Sequence, residues 1–272
     1  MKEREGRSGK IMTRIRTYII KPKIYMANKI ISVANHKGGC SKTTTALNLG
    51  RALSLSGFKI LLIDMDPQAN LSQSLGVENE QHTITDVFNQ KVDALPIKEI
   101  SPSFHLVPAS LELSVVEPSL YSNLKSYLLL KKKLEPIQGA YDFILIDCPP
   151  SLGILTQNAL IASDSVLITV PAQYLALKGL ETIYGLITSV KENLNNGLFV
   201  LGLVITQVNH TKLNREITQS LKETFKEKVF ETVIRQNVSL AEASLNRQDI
   251  FTYSPQSFGA ADYMSLAKEI VK

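Results

Sequence analysis

From residue 28 onward, short apolar runs rich in valine, isoleucine and leucine alternate with longer amphipathic stretches. The short runs predict strands over 29–34, 59–64, 105–108, 142–147, 165–170, 199–206 and 229–234. Several, such as Ile144-Leu145-Ile146, are apolar at consecutive positions, the pattern of a strand covered on both faces. The longer stretches predict helices over 43–56, 122–136, 152–161 and 176–194. Strict alternation implies βαβ units with right-handed crossovers. The expected fold class is α/β, a single doubly wound, mostly parallel sheet flanked by helices. No linker or internal repeat divides residues 28–272, which read as one domain.

Composition narrows the function classes. With 272 residues, 44% of them hydrophobic, the chain can bury one substantial core. No apolar run reaches the roughly 18 residues of a membrane span, and the N-terminus lacks the apolar core of a signal peptide. Two cysteines, Cys40 and Cys148, are too few for a disulfide framework and suit a reducing compartment. No His/Cys cluster has zinc spacing. The formal charge of +5 is concentrated in residues 1–29, where nine lysines and arginines face only Glu3 and Glu5. Residues 1–27 thus form a basic N-terminal extension. Such an arm can hold nucleic acid, can be a solvated tail, or can precede a later start at Met12 or Met26.

The first strand runs into Asn35-His36-Lys37-Gly38-Gly39-Cys40-Ser41-Lys42-Thr43-Thr44, which opens the first helix. A strand, a glycine-rich turn and a helix N-terminus aim several N–H groups and a positive dipole end at one point, which suits a phosphate. Residues 37–44 are therefore the candidate nucleotide loop. Lys42 can reach the β- and γ-phosphates, and the Thr43 hydroxyl can ligate Mg²⁺. The ordinary pattern G-x-x-x-x-G-K-[ST] fails at His36 and Ser41, but the deviant form K-G-G-x-x-K-[ST], with Lys37 as a second lysine, fits.

Phosphoryl transfer also requires carboxylates. Leu61-Leu62-Ile63-Asp64-Met65-Asp66-Pro67 ends one strand and Ile144-Leu145-Ile146-Asp147-Cys148-Pro149-Pro150 another. Asp64 and Asp66 are two apart on an extended segment and point the same way. Ligands of open α/β sheets bind at these C-terminal strand ends. Cys148 reads as a small buried filler, since no base lies near it in sequence.

Together these motifs resemble the ParA family of deviant Walker P-loop ATPases, and the likeness runs over nearly all of residues 29–270. Val170-Pro171-Ala172-Gln173 with Ala176-Leu177-Lys178-Gly179-Leu180 resembles its switch region. Residues 229–237 and Leu240-Ala241-Glu242-Ala243 resemble its nucleotide-side segment, with Ser244 where many members have proline. The resemblance implies a Mg-ATP-dependent ATPase that is weak and partner-stimulated, cytoplasmic and nucleoid-associated. Such a protein forms a homodimer with ATP, coats DNA non-specifically, and drives plasmid or chromosome partition with a ParB-like partner. By resemblance Lys37 reaches the partner subunit's phosphates, and Lys42 and Asp66 act in catalysis, Asp66 nearest the attacking water. Asp64 supports the metal and lysine network, and Asp147 holds Mg²⁺ through water. Thr43, Asp64 and Asp147 make up the metal set. No N-K-x-D guanine motif is present, Asn89-Gln90-Lys91-Val92-Asp93 being a near miss, so ATP is preferred over GTP. Ser41 replaces the commoner family glycine.

A DNA-binding surface is sought on 212–227. At about 100° per residue, Leu213, Ile217, Leu221 and Phe225 form the stripe expected to be buried. Lys212, Arg215, Lys222 and Lys226 fall within about 80° of arc on another stripe, with Glu216, Glu223 and Glu227 between. A basic ridge suits phosphate contacts, while an ordinary solvated face laced with ion pairs has the same spacing. Many relatives place an arginine just before this helix, where His210-Thr211-Lys212 stands here.

Two other readings remain open at this point. A MinD-like positioner would end in an amphipathic membrane helix, and the chain's last residues, Leu266 to Lys272, leave no room for a separate one. A metabolic or electron-transfer enzyme on the same fold would need cluster cysteines or a substrate pocket, whereas Cys40 and Cys148 lie within the nucleotide motifs.

Overall fold

The computed structural model describes residues 29–78, 80–173 and 176–272. The basic extension over 1–27 lies outside them, as do Tyr174 and Leu175, between the two stretches that resemble the switch region. In chain order the strands are β1 (Lys29–Ala34), β2 (Ile60–Asp64), β3 (Lys98–Ser101), β4 (Phe104–Val107), β5 (Phe143–Asp147), β6 (Ser165–Pro171), β7 (Phe199–Val208) and β8 (Val229–Arg235). They form one sheet in the order β3-β4-β2-β5-β1-β6-β7-β8, parallel throughout except for the antiparallel β3–β4 edge.

The helices are α1 (Lys42–Leu55), α2 (Asn70–Gln73), α3 (Ile84–Phe88), α4 (Leu113–Leu120), α5 (Leu129–Leu134), α6 (Ile154–Ala162), α7 (Ala176–Asn193), α8 (Lys212–Phe225), α9 (Val238–Leu245), α10 (Ile250–Tyr253) and α11 (Phe258–Ile270). Strand alternation divides the core into two. Ile31, Val33, Leu62 and Leu145 pack on one face with α1 and α11. Ile30, Ile63, Ile144 and Ile146 pack on the other with α6 and α7. β2, β5 and β6 are buried at every position, so the continuous apolar runs mark strands sandwiched between helices. α1 comes unusually close to the sheet: a Cβ on Gly50 would lie 2.7 Å from Leu62 Cδ2. A side chain there would force Leu62 to shift.

All seven expected strands are present, with ends shifted by up to two residues. The eighth, β3, was not expected. Its sequence is polar because it is a half-exposed edge carrying Lys98 and Glu99. The helix expected over 122–136 is instead a 3-10 turn (Leu124–Leu128) followed by α5. Asn123 breaks the stretch by accepting the Lys125 N–H on its side chain, which starts a new turn. Six helices, α2, α3, α4, α9, α10 and α11, fall outside the stretches expected to be helical. α3 is announced by a capping box between Thr83 and Asp86.

Candidate nucleotide-binding site

The loop between β1 and α1 is anchored at both ends. Asn35 Nδ2 donates to the Thr169 carbonyl (2.6 Å) in β6, and its Oδ1 accepts the Lys37 N–H (3.1 Å). A Cβ built on Gly38 or Gly39 meets no atom within 4 Å, and Gly39 has φ +69°. The glycines thus leave a cradle open over the start of α1. Ser41 gives that helix no side-chain cap, so its first N–H groups are left for a ligand. Ser41 itself sits at φ 62°, a left-handed conformation that costs a serine about 1–2 kcal/mol. Gln207 Nε2 lies 2.7 Å from the Gly39 carbonyl and 3.3 Å from Ser41 Oγ, and so braces this part of the loop.

The two lysines occupy different places. Lys42 is 6% exposed, and its Nζ donates to the Lys37 carbonyl (3.1 Å). Lys37 is exposed on the outer rim, where its Nζ donates to Gln173 Oε1 (2.9 Å).

Sheet register brings the acids together. Asp64 and Asp147 are paired neighbours at the ends of β2 and β5, both fully buried. The Thr43 hydroxyl donates to Asp147 Oδ2 (2.6 Å), and Asp147 Oδ1 is buried without a partner among the described residues. An orphaned carboxylate oxygen beside a hydroxyl, below an open glycine cradle, fits a Mg²⁺–nucleotide, which prefers oxygen ligands. Asp64 has other partners than the expected metal and lysine network. Its Oδ1 accepts the Asp66 N–H (3.1 Å), and its Oδ2 accepts from Ser72 N (2.9 Å) and Ser72 Oγ (2.7 Å). These bonds hold the turn that presents Asp66. Asp66 is 7% exposed, and one oxygen accepts the Gln68 N–H (2.9 Å).

Burial raises the affinity of these carboxyls for protons. Asp147 is pushed well above the usual carboxylate range by burial and then by the Asp64 charge, against the Thr43 hydrogen bond and Lys42. Asp64 is pushed up to about 6, chiefly by burial, against the bonds from Ser72 and Asp66 N–H. The folded chain therefore holds these protons more tightly than the unfolded one, and ionising them destabilises it. That cost is present above about pH 6 and fades as pH falls toward the unfolded value near 4. Without Mg²⁺, the urea midpoint should be higher at about pH 5.5 than at about pH 7.5, with the difference reduced in Asp147→Asn. An unchanged or lower wild-type midpoint at the acid pH would contradict this. Cys148, fully buried, is pushed up to about 12, which leaves it inert as a nucleophile.

Beside the loop, a cavity of about 390 Å³ is lined by Ser41, Thr44, Ile234, Asn237, Ser244 and Tyr263, among others. It joins the phosphate loop to the segment expected to lie on the nucleotide side.

α8 departs from the helical-wheel expectation at both ends. Leu221 and Phe225 are buried, but Leu213 is 57% exposed, and in the first turn it is Asn214 that is buried. Lys226 is not on the helix: it follows the last turn at φ 47°, so its wheel angle has no meaning. Lys212 pairs with Glu216 (3.8 Å) and Lys222 with Glu231 (3.5 Å), while Arg215 Nη2 donates to the His210 carbonyl (3.1 Å). Exposed pairs of this kind are worth about 0–1 kcal/mol each and yield readily to a phosphate.

Ser72 and Gln207 carry parts of the site that sequence reading missed. Ser72 is one serine among several, and its proximity to Asp64 arises only when α2 folds back on β2. Gln207 lies one residue past the strand expected over 199–206 and bears no motif.

The cradle, the inner lysine, the threonine hydroxyl and the strand-end aspartates define a P-loop nucleotide-binding fold of the two-lysine kind. The AAA domain family model matches residues 28–200. The chain is 39% identical over 247 residues to the sporulation initiation inhibitor protein Soj of Bacillus subtilis (strain 168), covering 89% of this chain and 98% of that protein. It is 41% identical over 246 residues to the chromosome-partitioning ATPase Soj of Treponema pallidum (strain Nichols), covering 89% and 97%. Among solved structures it is similar to cobyrinic acid a,c-diamide synthase of Mycobacterium smegmatis with bound ATP analogue and magnesium (TM-score 0.77, 29% identity, 88% of this chain and 93% of that one). It is also similar to the septum site-determining protein MinD of Pyrococcus horikoshii complexed with Mg-ADP (TM-score 0.76, 26% identity, 90% and 96%). The chain belongs to the ParA/MinD superfamily of P-loop NTPases.

Proposed function

We propose that the chain is a Mg-ATP-dependent, dimerising partition ATPase that binds DNA non-specifically and is discharged by a ParB-like partner. The observation that carries this reading is the division of labour between the lysines. Lys42 is folded into its own loop, whereas Lys37 stands exposed on the rim, its ammonium bonded among the described residues to a neutral amide. A lysine so placed can reach a phosphate presented by a second subunit. The cofactors are ATP and Mg²⁺, in keeping with the nucleotide and magnesium bound by the solved relatives. Bound Mg²⁺ would neutralise charge on the β- and γ-phosphates, held by Thr43 and Asp147. The loop N–H groups and Lys42 orient the triphosphate, and Asp66 positions a water and takes its proton. The partition assignment is supported by the two Soj relatives, each matched over nearly its whole length. The α8 cations supply the DNA contacts, with Lys226 following the helix.

The MinD likeness favours a second reading, a positioner recruited to a membrane surface. α11 gives it little support, because Tyr263, Leu266, Ala267 and Ile270 are all buried against the body. Among the described residues no helix is long and apolar enough to cross a membrane.

Fluorescence anisotropy on unrelated DNA duplexes across a salt series tests the reading. With Mg-ATP the chain should bind markedly more tightly than with ADP. Lys222→Ala/Lys226→Ala should weaken binding uniformly across sequences and lower the log–log salt slope by about 2, roughly 1 per lost phosphate contact. Equal affinity in the ATP and ADP states would sink the DNA reading, and nucleotide-dependent capture on anionic vesicles would replace it with the membrane one.

A further inference from the structure

A continuous chain of side-chain amides ties the outer lysine of the phosphate loop to the start of α8. Lys37 Nζ donates to Gln173 Oε1 (2.9 Å), and Gln173 Nε2 donates to Gln207 Oε1 (2.9 Å). Gln207 Nε2 then donates to the Gly39 carbonyl (2.7 Å) inside the loop. From its other end, the Gln207 carbonyl accepts Asn214 Nδ2 (3.2 Å), which also reaches the Ala172 carbonyl (2.9 Å). Asn214 is 5% exposed in the first turn of α8, and its Oδ1 accepts the Asn209 N–H (3.0 Å).

Gln207 is held in an unfavourable backbone state. It lies near the end of β7 at φ 57°, a left-handed conformation in a strand that is otherwise extended. Residues other than glycine persist there when the surroundings over-determine them. Here the surroundings are the loop carbonyl on one side and Asn214 on the other. A shift of the Gly39 carbonyl therefore changes what Gln207 can satisfy, and with it the seat of Asn214. The Lys37–Gln173 contact is exposed and pairs a cation with a neutral oxygen. A polyphosphate, offering charged acceptors, competes strongly for that lysine.

We propose that Gln173 and Gln207 are positioning residues that park Lys37 on the rim of the phosphate loop and report its departure to the first turn of α8. The proposal rests on the ATP-driven reading above for what draws Lys37 away. Nucleotide occupancy resets the Gly39 carbonyl and removes the donor to Gln173. The amide pair re-forms around new partners, and Asn214 carries the change into the turn bearing Lys212 and Arg215. The two halves of the molecule are coupled because both bias one short amide network with two arrangements.

Hydrogen exchange of the full chain, read by mass spectrometry with Mg²⁺ and a non-hydrolysable ATP analogue, tests the relay without DNA. In wild type the amides over 209–215 should change protection when the analogue binds. In Gln207→Ala that change should be lost even at analogue concentrations raised until a fluorescent analogue saturates the variant. Gln173 provides a signed control in an exposed side chain. Gln173→Glu places a carboxylate against Lys37 and should raise the analogue concentration for half-maximal dimerisation by about fivefold or more, whereas Gln173→Ala should lower it. A residue that served only to fill space would shift both variants the same way. The relay is overturned if α8 does not respond in wild type, if it responds equally in Gln207→Ala, or if both Gln173 variants move together. Wild type that shows the α8 response but neither dimerises nor binds DNA would leave the relay standing and strike the partition reading instead.

Discussion

Asp66→Ala should lower the rate of ATP hydrolysis by about 10²–10⁴-fold, the usual worth of a positioned general base, while leaving ATP-driven dimerisation in place. Asp66 is almost buried, lies just past the end of β2, and is set by a turn whose N–H groups are bonded to Asp64 and to Asp66 itself. It is separate from the Thr43–Asp147 pair, so its loss removes water activation without emptying the proposed metal site. Phosphate release measured in the steady state should collapse in kcat, with KM little changed. Gel filtration with Mg-ATP should show a persistent dimer in the variant, since the trapped state no longer discharges. Asp66→Asn, which keeps an oxygen for the Gln68 N–H, should be as slow as Asp66→Ala. Near-wild-type turnover in Asp66→Asn would mean that the side chain acts by shape, not by taking a proton.

Lys42→Ala should reduce ATP affinity by about 10²-fold or more, or about 2.7 kcal/mol. The side chain contributes twice: its ammonium is the one buried cation in position for the phosphates, and its bond to the Lys37 carbonyl closes the loop on itself. Charge-assisted bonds of this kind are worth about 1.5–3 kcal/mol, more where water is excluded. Isothermal calorimetry with ATP would measure the loss. Lys37→Ala should behave differently, losing the ATP-induced dimer with a much smaller drop in nucleotide affinity. Should the two variants lose affinity alike, the inner and outer assignments would collapse into one.

The sequence discloses those parts of this molecule that repeat locally. Continuous runs such as Ile144-Leu145-Ile146 mark β5, and the loop from Asn35 to Thr44 marks the cradle, because each depends on residues close along the chain. β3 was hidden because an edge strand needs no apolar pattern. α8 was legible in its centre and misread at its ends. A wheel assumes helix throughout and one buried face, whereas Leu213 is exposed and Lys226 adopts φ 47°. The acids were placed correctly at strand ends, yet the partner of Asp64 is Ser72, brought to it by a fold-back that no spacing rule records. Gln207 was the least visible, since its part depends on Gly39, more than a hundred residues away.

The strand order carries a consequence for how this chain tolerates change. β2, β5 and β1 bear the phosphate and acid chemistry on one half of the sheet, while β7, α8 and β8 occupy the other. The halves are joined edge to edge through β6 into one sheet. Substitutions in separate halves should therefore combine almost independently, as distant sites do. Epistasis should gather where β6 and β7 end, at Gln173 and Gln207. A lineage could remodel the half built on β7, α8 and β8 and leave the chemistry of β1, β2 and β5 untouched, provided those two positions change together.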